Sequence, residues 1–249
     1  MEPTLTQRQD IDTLVGTKIK DIELYRRAFT HKSALKQYSF ESSNETLEFM
    51  GDSVLGFVIT KFLFDKYEKN QEGFLTRART KLVRGKTLST IAEKLGLDKW
   101  IWMDDKGMRN GWVKNPKIME DAFESLIGAI YLDLGMVHAK QFILRIFNDP
   151  NIVNLNAVIR KDDNYKDMLM RWCQARKFDL PEYVQDAQDG TRFRVLVYVE
   201  GERSGFGCAT TKKEAEQIAA CFALKKLNPR IDKNNHSRDA SPDSKTNRD

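Results

Sequence analysis

Apolar side chains recur three and four residues apart through most of the chain before Asn151, and alternate with polar ones only around Arg192–Glu200. That contrast predicts a mainly helical chain with one small strand-bearing segment. The clearest helix begins at Glu45. Leu47, Met50, Val54 and Phe57 recur at helical spacing, and the apolar run continues to Phe64, which predicts a core-facing stripe. Asn44 stands where an N-cap belongs. Within the apolar run the only carboxylates are Glu48 and Asp52, one turn apart, and with Glu45 they project from one face. A helix that is apolar nearly all round is buried, and a buried unpaired carboxylate is expensive. A cation should therefore sit against that face.

A second helix of the same kind is expected over Ile118–Leu132, with Pro116 in its first turn and Asp121 and Glu124 at i, i+3. Gly51 and Gly128 fall on or beside the carboxylate faces, although glycine inside a helix costs about 1 kcal/mol relative to alanine. Close approach of the two helices is a physical reason for both. Such a pair would gather four carboxylates with no histidine or cysteine nearby, a donor set suited to Mg²⁺ or Mn²⁺ before zinc or copper. Glu120, about 100° around the helix from Asp121, reads as solvent-facing rather than as a fifth ligand.

The rest of the chain is legible more coarsely. Short helices are expected up to about residue 30, then a polar loop over Lys36–Ser43 that follows a structural His31. Phe74–Leu95 reads as one helix ending at Gly96. Its Arg77, Arg79, Lys81, Arg84 and Lys86 form either a solvated face or a phosphate contact. Trp100–Asn115 has no readable period, Met136–Phe147 is a last amphipathic helix, and 153–161 reads as a linker. A second domain follows over 162–230. It begins with a helix carrying Tyr165, Leu169, Trp172 and Cys173. Strands at Glu182–Gln185, Arg192–Glu200 and Ser204–Ala209 follow, with a turn at Gly201-Glu202. A helix from Lys212 to Leu227 closes it, headed by Thr211-Lys212-Lys213-Glu214 in capping-box form. Lys212 and Lys213 oppose the helix dipole, so they are either two solvated lysines or the place where a phosphate backbone docks, and their position in the first turn favours the second. The polar stretch 231–249 is expected to be a disordered tail.

Composition adds modest constraints. Over 249 residues, a formal net charge of +5 favours a polyanionic partner only weakly, since 36 acidic residues accompany 41 basic ones. Met1–Arg8 lacks the basic-then-apolar order of a signal peptide, and no uncharged apolar run reaches membrane-spanning length. Cys173, Cys208 and Cys221 form neither an even disulfide set nor a metal-spacing motif, so a reduced, cytoplasmic setting is expected.

Glu45–Leu55 resembles the signature helix of the ribonuclease III family, and Asp121–Leu134 resembles its second catalytic helix. Glu72-Gly73-Phe74-Leu75-Thr76, Leu82–Leu88 and Thr30-His31-Lys32-Ser33 match as well. Lys212-Lys213-Glu214-Ala215-Glu216 is similar to the start of the last helix of a double-stranded-RNA-binding domain. The resemblance implies an all-helical endonuclease domain over 1–152 and a small α-β-β-β-α domain that binds double-stranded RNA. It implies cleavage of that RNA to 5′-phosphate and 3′-hydroxyl ends, in processing of ribosomal and other structured precursors. Glu48, Asp121 and Glu124 would hold Mg²⁺, or Mn²⁺ in its place, with Asp52 completing the acidic cluster; Asp52 and Glu124 carry the chemistry. Glu45 and Glu72 would line the RNA path beside Lys212 and Lys213. The family works as a homodimer, with Phe49 at the position of an aromatic plug that enters the partner subunit; no membrane and no small-molecule cofactor are implied.

The chain departs from the family at Asp104–Trp112, where a glycine-rich connection is usual. It departs again at Met170-Arg171, where Gln-Glu is usual, and at Asp186–Arg192, which lacks the usual histidine. Two other classes compete with this one. A non-catalytic RNA-binding protein on this fold should have lost an acid, and all four are present. A helical nucleotide phosphohydrolase would leave the C-terminal module without a purpose.

Overall fold

The computed structural model describes residues 8–38, 41–160 and 164–227, the side chains of 187–189 aside, so the expected tail at 231–249 lies outside the described residues. Two compact units divide the chain between Lys161 and Asp162.

The first unit is helical: α1 (Arg8–Val15), α2 (Ile22–Ala28), α3 (Ala34–Tyr38), α4 (Glu45–Lys66), α5 (Glu72–Leu82), α6 (Gly85–Lys94), α7 (Asp105–Arg109), α8 (Pro116–Leu134), α9 (Met136–Asn148) and α10 (Leu155–Arg160). α8 is the central rod. Every residue from Ala122 to Ile130 is buried, so the helix is surrounded on all sides, and α2, α4, α6 and α9 pack against it. α4 lies on it most closely. A Cβ at Gly51 would fall 1.7 Å from the Glu124 carbonyl oxygen, and one at Gly128 would fall 2.2 Å from that of Leu47. Both glycines are therefore required by backbone contact between the two helices.

The structure departs from the sequence reading at several points. α4 buries Leu47, Gly51, Val54, Leu55, Val58, Ile59 and Leu63, an arc centred on the glycine contact, so Phe57 is 63% exposed instead of lying in the core. The helix expected over Phe74–Leu95 is two. Arg84 is extended (ψ 148°), and the break is tied by the Thr87 hydroxyl donating to the Lys81 carbonyl at 2.7 Å. This turn lets α6 lie against α8 with Gly85 beneath the Glu120 carboxylate. Asn44 precedes α4 without capping it by its side chain; it is buried, and its carbonyl accepts from the Ser125 hydroxyl. The stretch 153–161, read as a linker, holds α10, whose Leu155 and Ile159 are buried and whose Ile159 carbonyl accepts from Lys81 at 2.8 Å.

In the unreadable stretch, residues 29–31 and Trp102 pair as a short parallel bridge, and Asp104 caps α7 through the Gly107 amide. Asn115 caps α8, accepting from the Lys117 amide at 2.9 Å. Asp133, near the other end of α8, accepts from the Lys20 and Asp21 amides and from the Tyr25 hydroxyl, which holds the N-terminal segment down.

The second unit is α11 (Tyr165–Gln174), β1 (Glu182–Asp189), β2 (Arg192–Val199), β3 (Glu202–Ala209) and α12 (Lys212–Leu227). The strands form an antiparallel sheet in the order β1-β2-β3. β1 runs to Asp189 rather than stopping at Gln185, so the loop expected over 186–192 is a two-residue turn with Gly190 at φ +56°. The turn between β2 and β3 is Glu200-Gly201, both at positive φ, the arrangement that suits a tight hairpin. Val195, Val197 and Val199 face Leu169, Cys173, Ala219, Ala223 and their neighbours, so one sheet face is covered by the helices.

Candidate active site

The close contact of α4 and α8 sets the site. Glu48 stands one turn before Gly51 on α4, and Glu124 is the residue whose carbonyl touches that glycine. Asp121 lies one turn before Glu124 on the same face of α8. One carboxylate oxygen from each of Glu48, Asp121 and Glu124 falls within 4.8 Å of the others. Glu124 is 5% exposed, and Glu48 and Asp121 are half-buried at the mouth.

Crowding of like charges out of water raises the cost of ionisation. Burial, then the charges of Asp52 and Glu120, push the Glu124 carboxyl up to about 8. Glu48 is pushed up by burial and then by Asp121, against the opposing pull of Lys117. Glu120 is raised too, chiefly by burial. The expectation that Glu120 faces solvent is thus corrected. Its side chain is 19% exposed, lies over Gly85, and faces Lys117 at 3.7 Å, because α6 packs against that side of α8. Asp52, expected as a fourth member, is exposed. It lies one turn beyond Glu48, about 6 Å along α4, and acts on the cluster as a charge beside Glu124 rather than as a converging oxygen.

The cation that buried acids require is Lys117. Its Nζ lies 2.6 Å from Asp121 Oδ1, 3.4 Å from Glu48 Oε1 and 3.7 Å from Glu120 Oε2. Burial works against its charge, but the bond to Asp121 and the nearby carboxylates outweigh that and hold the ammonium above its ordinary range. The sequence reading asked for a cation without finding this one. The available signal was its place four residues before Asp121, a spacing that brings helix side chains together.

Glu45 and Glu72 lie outside the group of three. Glu45 is exposed and ion-paired to Lys32 at 3.1 Å, and that bond holds its carboxyl below the usual range. Glu72, in the first turn of α5, accepts from the Thr76 hydroxyl at 2.7 Å. His31 is half-buried and bonded to Ser33 at 2.9 Å, and burial lowers its proton affinity. Of the cations expected over α5 and α6, Lys81 is committed to α10, Arg84 is half-buried, and Arg77, Arg79 and Lys86 are exposed.

Phe49 is 75% exposed, not a core residue, and Phe57 and Phe64 share the outward side of α4 with it. In the second unit Lys212 and Lys213 are exposed in the first turn of α12, where the Thr211 hydroxyl accepts from the Glu214 amide at 3.2 Å. Met170 is partly exposed on α11, and Arg171 pairs with Asp167 at 2.7 Å.

Comparison with known proteins covers both units. Residues 21–150 match the model of the ribonuclease-III-like family, and residues 165–227 match that of the double-stranded RNA binding motif. The chain is 36% identical over 220 residues to Ribonuclease 3 of Bacteroides fragilis, covering 86% of this chain and 74% of that one. It is 34% identical over 224 residues to Ribonuclease 3 of a Wolbachia from Brugia malayi, covering 88% and 90%. Among solved structures, the nuclease domain of ribonuclease III from Campylobacter jejuni matches with a TM-score of 0.52 and 38% identity, over 56% of this chain and 94% of that one. That structure is described as flexible in a region involved in dimer formation.

Proposed function

The chain belongs to the ribonuclease III family and is an endoribonuclease with a double-stranded-RNA-binding domain, and from that premise we propose that Glu48, Asp121, Glu124 and Asp52 cut double-stranded RNA with a divalent metal. The observation that carries this reading is the convergence of three carboxylate oxygens within 4.8 Å at the α4–α8 contact. The donors are all oxygen, two of the three are half-buried and one is buried, and such a set fits Mg²⁺ or Mn²⁺. When bound, the ion would supply a lowered pKa for a water nucleophile and positive charge for the phosphate.

The chain's own residues do the rest. Glu48 and Asp121 present oxygens at the mouth, and Glu124 closes the floor. Asp52 adds negative charge one turn away, which strengthens the attraction for a divalent cation. The exposed Lys212 and Lys213 neutralise phosphates of the duplex without reading bases. Glu45 and Glu72, exposed near the ends of their helices, line the RNA path. Phe49 enters a second copy of the chain; its 75% exposure, and the exposure of Phe57 and Phe64 beside it, support a homodimer.

Finer features rest on the family alone: 5′-phosphate and 3′-hydroxyl products, and processing of ribosomal and other structured RNA precursors. Three free cysteines among the described residues support a reducing, cytoplasmic setting, and no described helix is long and apolar enough to cross a membrane. The test is an end-labelled RNA duplex incubated with the protein in Mg²⁺, in chelator, and in chelator followed by excess Mg²⁺. The proposal expects cleavage, none, and recovery; cleavage that persists in chelator would refute the metal site.

A further inference from the structure

Lys117 contacts two of the three acids whose oxygens converge. Its ammonium is ion-paired to Asp121 at 2.6 Å and donates to Glu48 at 3.4 Å, yet its side chain is 62% exposed. These two facts pull in different directions. The head group sits among acids that need a cation, while the stem lies in water, where it can swing away at little cost in packing. A divalent ion held by Glu48, Asp121 and Glu124 would draw on the carboxylates of Asp121 and Glu48 that the ammonium now engages. The ammonium contacts Asp121 and Glu48 but not Glu124, whose oxygen lies within 4.8 Å of theirs and within reach of a shared divalent ion.

We propose that Lys117 is a built-in placeholder for the metal: it neutralises the acid cluster when no ion is bound, and has to be displaced when one binds. The inference rests on the reading of Glu48, Asp121 and Glu124 as the metal site. It makes Lys117 a positioning residue with two opposed effects. It stabilises the metal-free protein by offsetting repulsion between Glu48, Asp121 and Glu120, and it weakens metal binding by competing for the first two. A partly exposed ion pair contributes modestly, so the competition should amount to a several-fold change in affinity rather than a switch.

The experiment uses the full-length protein and three variants, Lys117→Met, Lys117→Arg and Glu124→Gln. Mn²⁺ binding is followed by calorimetric titration, and melting is followed in chelator. Lys117→Met keeps the length and removes the charge; Lys117→Arg keeps the charge. The expected result is that Lys117→Met melts lower in chelator yet binds Mn²⁺ on the order of fivefold more tightly than wild type. Lys117→Arg should stay close to wild type in both. Equal or weaker Mn²⁺ binding by Lys117→Met, beside clear binding by wild type that Glu124→Gln loses, would overturn the placeholder and leave the metal site standing. Absence of Mn²⁺ binding by wild type would overturn both.

Discussion

Glu124→Gln should make the metal-free protein more stable at neutral and alkaline pH, although it removes a residue central to the proposed chemistry. Glu124 is 5% exposed, and burial followed by the charge of Asp52 raises its carboxyl from 4.5 to about 8. The sign follows from the two states. Below about pH 4.5 the carboxyl is neutral whether the chain is folded or not. Between 4.5 and 8 the unfolded chain ionises it freely while the folded chain resists, so stability falls as pH rises through that window and levels off above it. A raised pKa of this size corresponds to on the order of 3 kcal/mol at pH 7 and about 5 kcal/mol above pH 8. Glutamine has nearly the same shape and no charge to ionise, so that slope disappears. At about 2–4 °C per kcal/mol for a chain of this size, the variant should melt roughly 10 °C above wild type at pH 8.5 in chelator, and within a degree or two of it near pH 4.5. Tryptophan fluorescence is a suitable probe, because Trp100, Trp102 and Trp112 lie in the first unit and only Trp172 in the second. Saturating Mn²⁺ should raise the wild-type melting temperature and leave the variant nearly unmoved. A variant that is less stable than wild type at pH 8.5, or a gap that does not change with pH, would refute the reasoning.

Other substitutions probe other parts. Gly51→Ala would drive a methyl group to 1.7 Å from the Glu124 carbonyl oxygen; the resulting separation of α4 and α8 should cost more than about 2 kcal/mol after the helix-propensity gain, read as a lower denaturation midpoint. Phe49→Ala should shift sedimentation toward the monomer with little change in melting of the monomeric chain, since the ring is 75% exposed; an unchanged dimer would remove Phe49 from the interface. Lys212→Ala with Lys213→Ala should weaken duplex binding and reduce the slope of log affinity against log salt by about 1–2, measured by titration from low to moderate salt.

What the sequence revealed and what it hid divide along physical lines. The convergence of Glu48, Asp121 and Glu124 was legible because helical spacing fixes which side chains share a face, and the tight contact was legible because glycine in a helix needs a reason. Phe57 was not, because an apolar residue on a surface the chain leaves uncovered looks the same as one in the core. The true buried arc of α4 turns toward Gly51, a residue with no side chain to mark it. The break at Val83-Arg84 lacks a proline, and its cause is tertiary: α6 must lie against α8 with Gly85 under Glu120. α10 was missed because six residues with two buried positions give too short a pattern to stand out from a linker. Glu120 was assigned by position on an isolated helix, whereas α6, packed against that side of α8, decides which of its faces meets water.

The most direct test of the account is single-turnover cleavage of an end-labelled RNA duplex by excess wild-type or Glu124→Gln protein in Mg²⁺, with the bound fraction measured in the same samples. The account predicts equal binding and cleavage slowed by more than about a hundredfold, beyond the loss typical of an outer-shell metal partner. Cleavage by the bound variant within a few-fold of wild type would contradict it.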